Sequence, residues 1–161
     1  MTSTAAAALY IPPLGDHLNS VSPAKPCTRL TLPDHRQHEW RTEYLGDLPE
    51  AAYYHPAAVL HLHGNGVGHH LPLNPVAWTL ASAWRGFQLD YILVGHAVIT
   101  GNEDHDGNLT PLPAQFTAQT EKAIAAATAW WCDNSFHLPH WPYTLDSPAF
   151  GPAIAATHQA L

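Results

Sequence analysis

Four histidines fall within ten residues: His61, His63, His69 and His70. His61 and His63 alternate along an apolar stretch, so in a strand they share one face, about 6–7 Å apart at the usual rise per residue. Gly64-Asn65-Gly66 is a turn signal, after which Val67–Leu71 can return antiparallel. A two-residue loop would set His70 opposite His61, and a three-residue loop would set His69 there. Either register gathers three imidazoles, a first shell for Zn²⁺ with an open fourth position, and so a His-ligated zinc-dependent hydrolase. No carboxylate stands nearby in sequence to orient such ligands. The plainer alternative is a half-exposed hairpin with solvent-facing histidines.

Other constellations are weaker. VLHLHGNG (59–66) and ILVGHAVITG (92–101) look like the oxyanion-loop strand and nucleophile elbow of an α/β-hydrolase, but the nucleophile position is Ala97, which has no hydroxyl to activate. Asn102–Asn108 (NEDHDGN) has a glycine sixth, as in a calcium loop, but Pro113 stands where the bidentate Glu belongs. A polar turn fits better. The helix start at Asn74–Val76 presents backbone N–H groups that suit an anion, with Arg85 or Arg41 to pair with it. That gives a nucleotide-signal-binding sponge as a further alternative, set against the ordinary fate of helix starts, which is to be capped.

The elements that must carry these residues follow from punctuation and periodicity. Ala8–Leu14 reads as a strand stopped by prolines, and Thr28–Leu32 as a second. Asp34 caps a helix over 35–45 with Gly46 just beyond it, and residues 51–54 form a strand. Ala58–His63 is a clear strand, with Val59, His61 and His63 on one face and Leu60 and Leu62 on the other. Asn74 as N-cap, Pro75 at the first helical position and Gly86 past the end bound a helix over 75–85. Its expected buried side is Val76, Leu80, Ala83 and Trp84. Asp90–Thr100 is nearly all apolar and reads as a central strand with a bulge at Gly95. Leu109–Leu112 is a short strand, and Pro113 opens a long helix to about Cys132. The expected fold is α+β: one domain over 9–132, with a mixed or antiparallel sheet of about five to seven short strands and three helices. A disordered tail over 1–8 precedes it. A Pro/aromatic extension over 133–161 follows, packed on the domain or on a partner.

Composition narrows the function. Six Lys+Arg against thirteen Asp+Glu give a net charge of −7 in a chain only 12% charged. Direct nucleic-acid binding is disfavoured, since it needs clustered cations. Protonating all thirteen histidines would take the charge from −7 to +6. Cys27 and Cys132 are far apart and form no C-x-x-C pair. MTSTAAAALYIPP has no cationic signal-peptide start, and no apolar run is long enough to span a membrane, so a cytoplasmic location is expected. Trp130, Trp131, Phe136, Trp141, Tyr143 and Phe150 crowd the charge-poor C-terminal part. Such aromatics suit an interface with a protein partner or a second copy, or they clamp the tail to its own domain.

From about Leu45 to Pro113 the chain resembles a domain-of-unknown-function family of actinobacteria, their phages and plasmids. The likeness rests on HGNGVGHHLPLNPVAWTLA (63–81), DYILVGHAVITG (90–101) and DGNLTPLP (106–113). It combines an LP-x-NP-x-A helix start with a strand that reads D-x-I-x-x-G-x-A-V-x-x-G in this chain. The His-rich loop and the aromatic C-terminal part depart from that pattern. The resemblance implies a genomic setting in which small proteins often act as non-catalytic inhibitors or regulators. With no intact nucleophile, phosphate loop or basic face in the sequence, the leading expectation is a binding or regulatory protein without a cofactor, for instance an inhibitor of a host defence protein.

Overall fold

In a computed structural model, residues 6–13, 28–32, 37–134 and 154–155 are described. Strands β1 (Ala6–Ile11), β2 (Thr28–Leu32), β3 (Pro49–His55), β4 (Ala58–His63) and β5 (Ala97–Thr100) form one sheet in the order β2-β1-β5-β4-β3. Every neighbouring pair is antiparallel. Helix α1 (Gln37–Leu45) covers one face, while α2 (Pro75–Arg85) and α3 (Gln115–Asn134) belong to the other. This is a single α+β domain.

Alternation along the strands builds two cores. Leu9 and Ile11 of β1, Ala58, Leu60 and Leu62 of β4, and Ala97 and Ile99 of β5 pack with α2 and α3. Ala6, Ala8, Leu32 and Val98 pack with Trp40 and Leu45 of α1. Ile154 also joins the larger core, so part of the C-terminal segment contributes to it.

Helix α2 matches its punctuation. Asn74 Oδ1 accepts from Ala77 N, Pro75 opens the helix, and Gly86 closes it at φ 79° in the left-handed region. Burial is wider than the four-residue face expected from the pattern: every residue from Pro75 to Trp84 is buried. The cause is α3, which packs on the helix in addition to the sheet, with Trp84 Nε1 donating to Gln119 Oε1.

Three expected strands differ. Only Ala97–Thr100 of the 90–100 run is a strand, because the backbone before it bonds to the entry of α2. Asn74 N donates to Leu93 O, Gly95 N to Pro72 O, and Trp78 Nε1 to Tyr91 O. Gly95, at φ 79°, makes the bend. Val67–Leu71 does not return along β4, since β3 and β5 already occupy both edges of that strand. It coils on itself instead, with Leu71 N bonded to Gly66 O and His69 N to Asn65 O. Leu109 makes only an isolated bridge to Glu103. The second strand lies at Thr28–Leu32 as expected, while the first strand and first helix shift slightly: β1 runs Ala6–Ile11 rather than Ala8–Leu14, and α1 begins at Gln37, with Asp34 outside the described residues.

Gly101 follows β5 where the chain crosses itself. A Cβ there would press on the Thr110 and Pro111 carbonyls, which are backbone and cannot turn aside. Gly101→Ala is expected to cost about 1–3 kcal/mol, read as a lower urea midpoint with an unchanged m-value.

Candidate functional site

The expected histidine group divides in two. His61 turns inward: it is buried, its ring meets the Trp40 ring edge-on at 5.1 Å, and its Nε2 lies 2.8 Å from Thr100 Oγ1. That hydroxyl donates to Gly101 O, so the ring N–H donates to it. Burial, with the Arg41 charge adding to it, pushes the His61 pKa down to about 3, which makes it a neutral core side chain. His70 sits exposed in the 64–70 turn at φ 54° and joins no donor group. The expected Zn set of His61 and His63 with His69 or His70 is therefore divided, because the hairpin that would have set His69 or His70 opposite His61 does not form.

His63 and His69 do come together, and Asp47 joins them. His63 ends β4, His69 lies in the turn that follows, and Asp47 follows α1. The α1 exit brings the aspartate in: Gly46 takes φ 93°, its N–H bonds to Thr42 O, and a Cβ there would lie 3.1 Å from His63 Cδ2. His63 Nδ1 accepts from Asn65 N at 3.0 Å, so the ring proton is on Nε2, which donates to Asp47 Oδ1 at 2.9 Å. The hydrogen bond to His63 is the first cause holding the Asp47 carboxyl below its usual range. The His69 ring centroid lies 4.8 Å from that of His63. One ligand atom from each of Asp47, His63 and His69 lies within 4.8 Å of the others.

These three residues line a groove of about 510 Å³ together with Tyr10, Tyr44 and His96. The Tyr10 hydroxyl bonds to His96 Nδ1, and their rings stack at 5.8 Å. Asp47 precedes His63 by sixteen residues, and the whole of β3 and most of β4 lie between them. The Gly46-Asp47 step was its only sequence signal, and that marks a helix end rather than a site.

Other expected sites resolve into structural roles. Asn74 is fully buried, with Nδ2 donating to Ile11 O and Gly95 O, and Val76 is buried beside it. The α2 N-terminus thus faces protein and offers an anion no entrance. Arg85 is at the other end of that helix, donating to Tyr53 O, and Arg41 pairs with Glu103 at 3.0 Å. The structure does not bring these four together. Ala97 is a fully buried strand residue, not the tip of an elbow. Asp104 Oδ1 accepts from Asp106 N and Asn108 N, which makes 102–108 a polar turn. Trp130 and Trp131 lie on α3, with side chains outside the description, and Phe136, Trp141, Tyr143 and Phe150 lie outside the described residues.

A feature the sequence reading did not single out is the free edge of β3, the last strand of the sheet among the described residues. Several of the exposed large apolar side chains among the described residues lie beside it. Tyr53, on β3, is 67% exposed, and Leu48 immediately precedes the strand. Val67 and Tyr91 line a 260 Å³ cavity with Ala52 and Tyr54 of β3, and Phe87 follows Arg85, which reaches the Tyr53 carbonyl. Glu50 is the only formal charge on the strand. No helix among the described residues is long and apolar enough to cross a membrane. No family model, curated protein or solved structure matches the chain.

Proposed function

We propose that this chain is a non-catalytic binding protein that regulates or inhibits another protein, in the phage, plasmid or actinobacterial setting its resemblance implies. One observation carries the reading: a seven-residue edge strand, β3, fringed by Leu48, Tyr53, Val67, Phe87 and Tyr91. Exposed edges are normally blunted by charge, because unpaired N–H and C=O groups invite another strand. This edge carries one carboxylate and a ring of apolar side chains instead. An extended segment of a protein partner adding to it would gain main-chain hydrogen bonds and bury tyrosines, the side chains that most often anchor interfaces.

Two of the histidines, His61 and His63, agree with a binding role. A general base needs a ring nitrogen free to take a proton. His63 has one nitrogen on Asn65 N–H and the other on Asp47, and His61 is buried in the core.

The test is capture from an actinobacterial host lysate, with wild type beside Tyr53→Lys/Tyr91→Lys. Wild type is expected to retain one protein in near-stoichiometric amount, and the double variant to lose it by at least about thirtyfold, the equivalent of one central hot spot. A wild-type chain that stays monomeric and captures nothing stoichiometric would refute the reading, as would a partner held equally well by the double variant.

A further inference from the structure

We propose that Asp47, His63 and His69 form a binding site for a divalent transition-metal ion of the Zn²⁺ class, which clasps the 64–70 turn onto the exit of α1. The donor set is two imidazoles and one carboxylate, a combination that suits zinc and its neighbours and not the oxygen-only preference of calcium or magnesium.

The geometry lies close to what a metal needs. Ligand atoms around a tetrahedral zinc at 2.0–2.2 Å stand about 3.4 Å from one another. Here they lie within 4.8 Å, and the His63–Asp47 pair is at 2.9 Å. Closing the set takes an ångström or so, spread over two exposed side chains, Asp47 and His69. All three donors line the same groove, which leaves room there for water or a fourth donor. Among the described residues no Lys or Arg lines that groove, and Glu43 adds a second carboxylate to it, so its described lining favours a cation.

Proton bookkeeping at His63 gives the site a structural consequence. Its Nδ1 now accepts from Asn65 N, and its Nε2 carries the proton. A metal on Nε2 displaces that proton to Nδ1 of the same neutral ring, which then becomes a donor. The Asn65 N–H loses its acceptor and turns to solvent, to which Asn65 is already exposed. Metal binding thus rearranges the turn that lies between the groove and the β3-edge cavity, both of which His63 lines. The site stands whether or not β3 takes a partner.

The test is calorimetric titration of the full chain, purified without an affinity tag, with ZnCl₂ at pH 7.5. The expected result is one equivalent bound with a Kd of ~1 µM or tighter. His69→Gln and Asp47→Asn should each weaken binding by at least about thirtyfold, while His70→Gln and His105→Gln leave it within about twofold. Co²⁺ in place of Zn²⁺ should give the visible absorption of a low-coordinate nitrogen/oxygen site, lost in His69→Gln. His69→Gln changes an exposed residue, so the test does not depend on the half-buried His63 tolerating substitution. Absence of binding at 100-fold higher metal concentration, or affinity and stoichiometry unchanged in His69→Gln and Asp47→Asn, overturns the proposal.

Discussion

Asn74→Asp is expected to destabilise the fold at least as strongly as Asn74→Ala, although aspartate is among the best residues for starting a helix. The reason is that Asn74 does two jobs, and capping is the lesser. Its Oδ1 accepts from Ala77 N, a bond that aspartate keeps. Its Nδ2 donates to Ile11 O at 3.1 Å and to Gly95 O at 2.9 Å, which ties β1 and the run into β5 to the start of α2. Aspartate has no donor for either carbonyl and sets a charge against both in a site with no solvent exposure. Alanine leaves the same two carbonyls and the Ala77 N–H unpaired. At about 1–3 kcal/mol for each buried group left unsatisfied, either change should cost on the order of 3–6 kcal/mol. For a chain of this size that lowers Tm by roughly 10 °C or more. Urea unfolding followed by tryptophan fluorescence measures it. An Asn74→Asp variant as stable as wild type would mean that the two donor bonds contribute nothing.

The second large effect is loss of stability in acid, centred on His61. Its pKa is pushed down to about 3 in the fold, against 6.5 for an ordinary histidine. Between those values the unfolded chain binds a proton there and the folded chain does not, so stability falls as pH falls. Above 6.5 neither state is protonated at this residue, and it adds no pH dependence. Within the window the slope approaches about 1.4 kcal/mol per pH unit, so about 2–3 kcal/mol should be lost by pH 4.5. His55, also held below its usual value by burial, tilts the curve the same way. So do Asp47 and Asp104, whose lowered carboxyl pKa values make protonation favour the unfolded chain. His61→Gln retains a donor for Thr100 Oγ1 and does not titrate, so it should flatten the limb between pH 6.5 and pH 4 while the smaller contributions persist. An unchanged pH profile in His61→Gln would show that His61 is not the source.

The family-like segment reads differently once its residues are placed. Asn74, Pro75 and Gly95 serve the junction between the entry of α2 and the run into β5 as a cap, a helix start and a left-handed bend, and Gly101 serves a crowded crossing with Thr110 and Pro111 just past β5. The pattern that suggested a resemblance is thus, at these four positions, a packing pattern.

Local chemistry in the sequence settled the elements whose causes are local. Asn-Pro at one end and Gly at the other bound α2, because a cap, a proline and a left-handed residue act within a few residues of themselves. The alternation in AVLHLH placed Leu60 and Leu62 on one face of β4 and His61 and His63 on the other, because side chains along a strand alternate faces. What lay beyond reach depended on which strands compete for an edge. β5 inserts between β1 and β4, and that one pairing denied Val67–Leu71 its place, sent the turn back on itself, and moved His70 away from His61. Helix α1, laid over the same face, buried His61 under Trp40 and delivered Asp47 to His63. Periodicity names the face on which a residue stands. Only long-range pairing and packing decide what covers that face, and here that cover separates a core histidine from a ligand-bearing one two residues away.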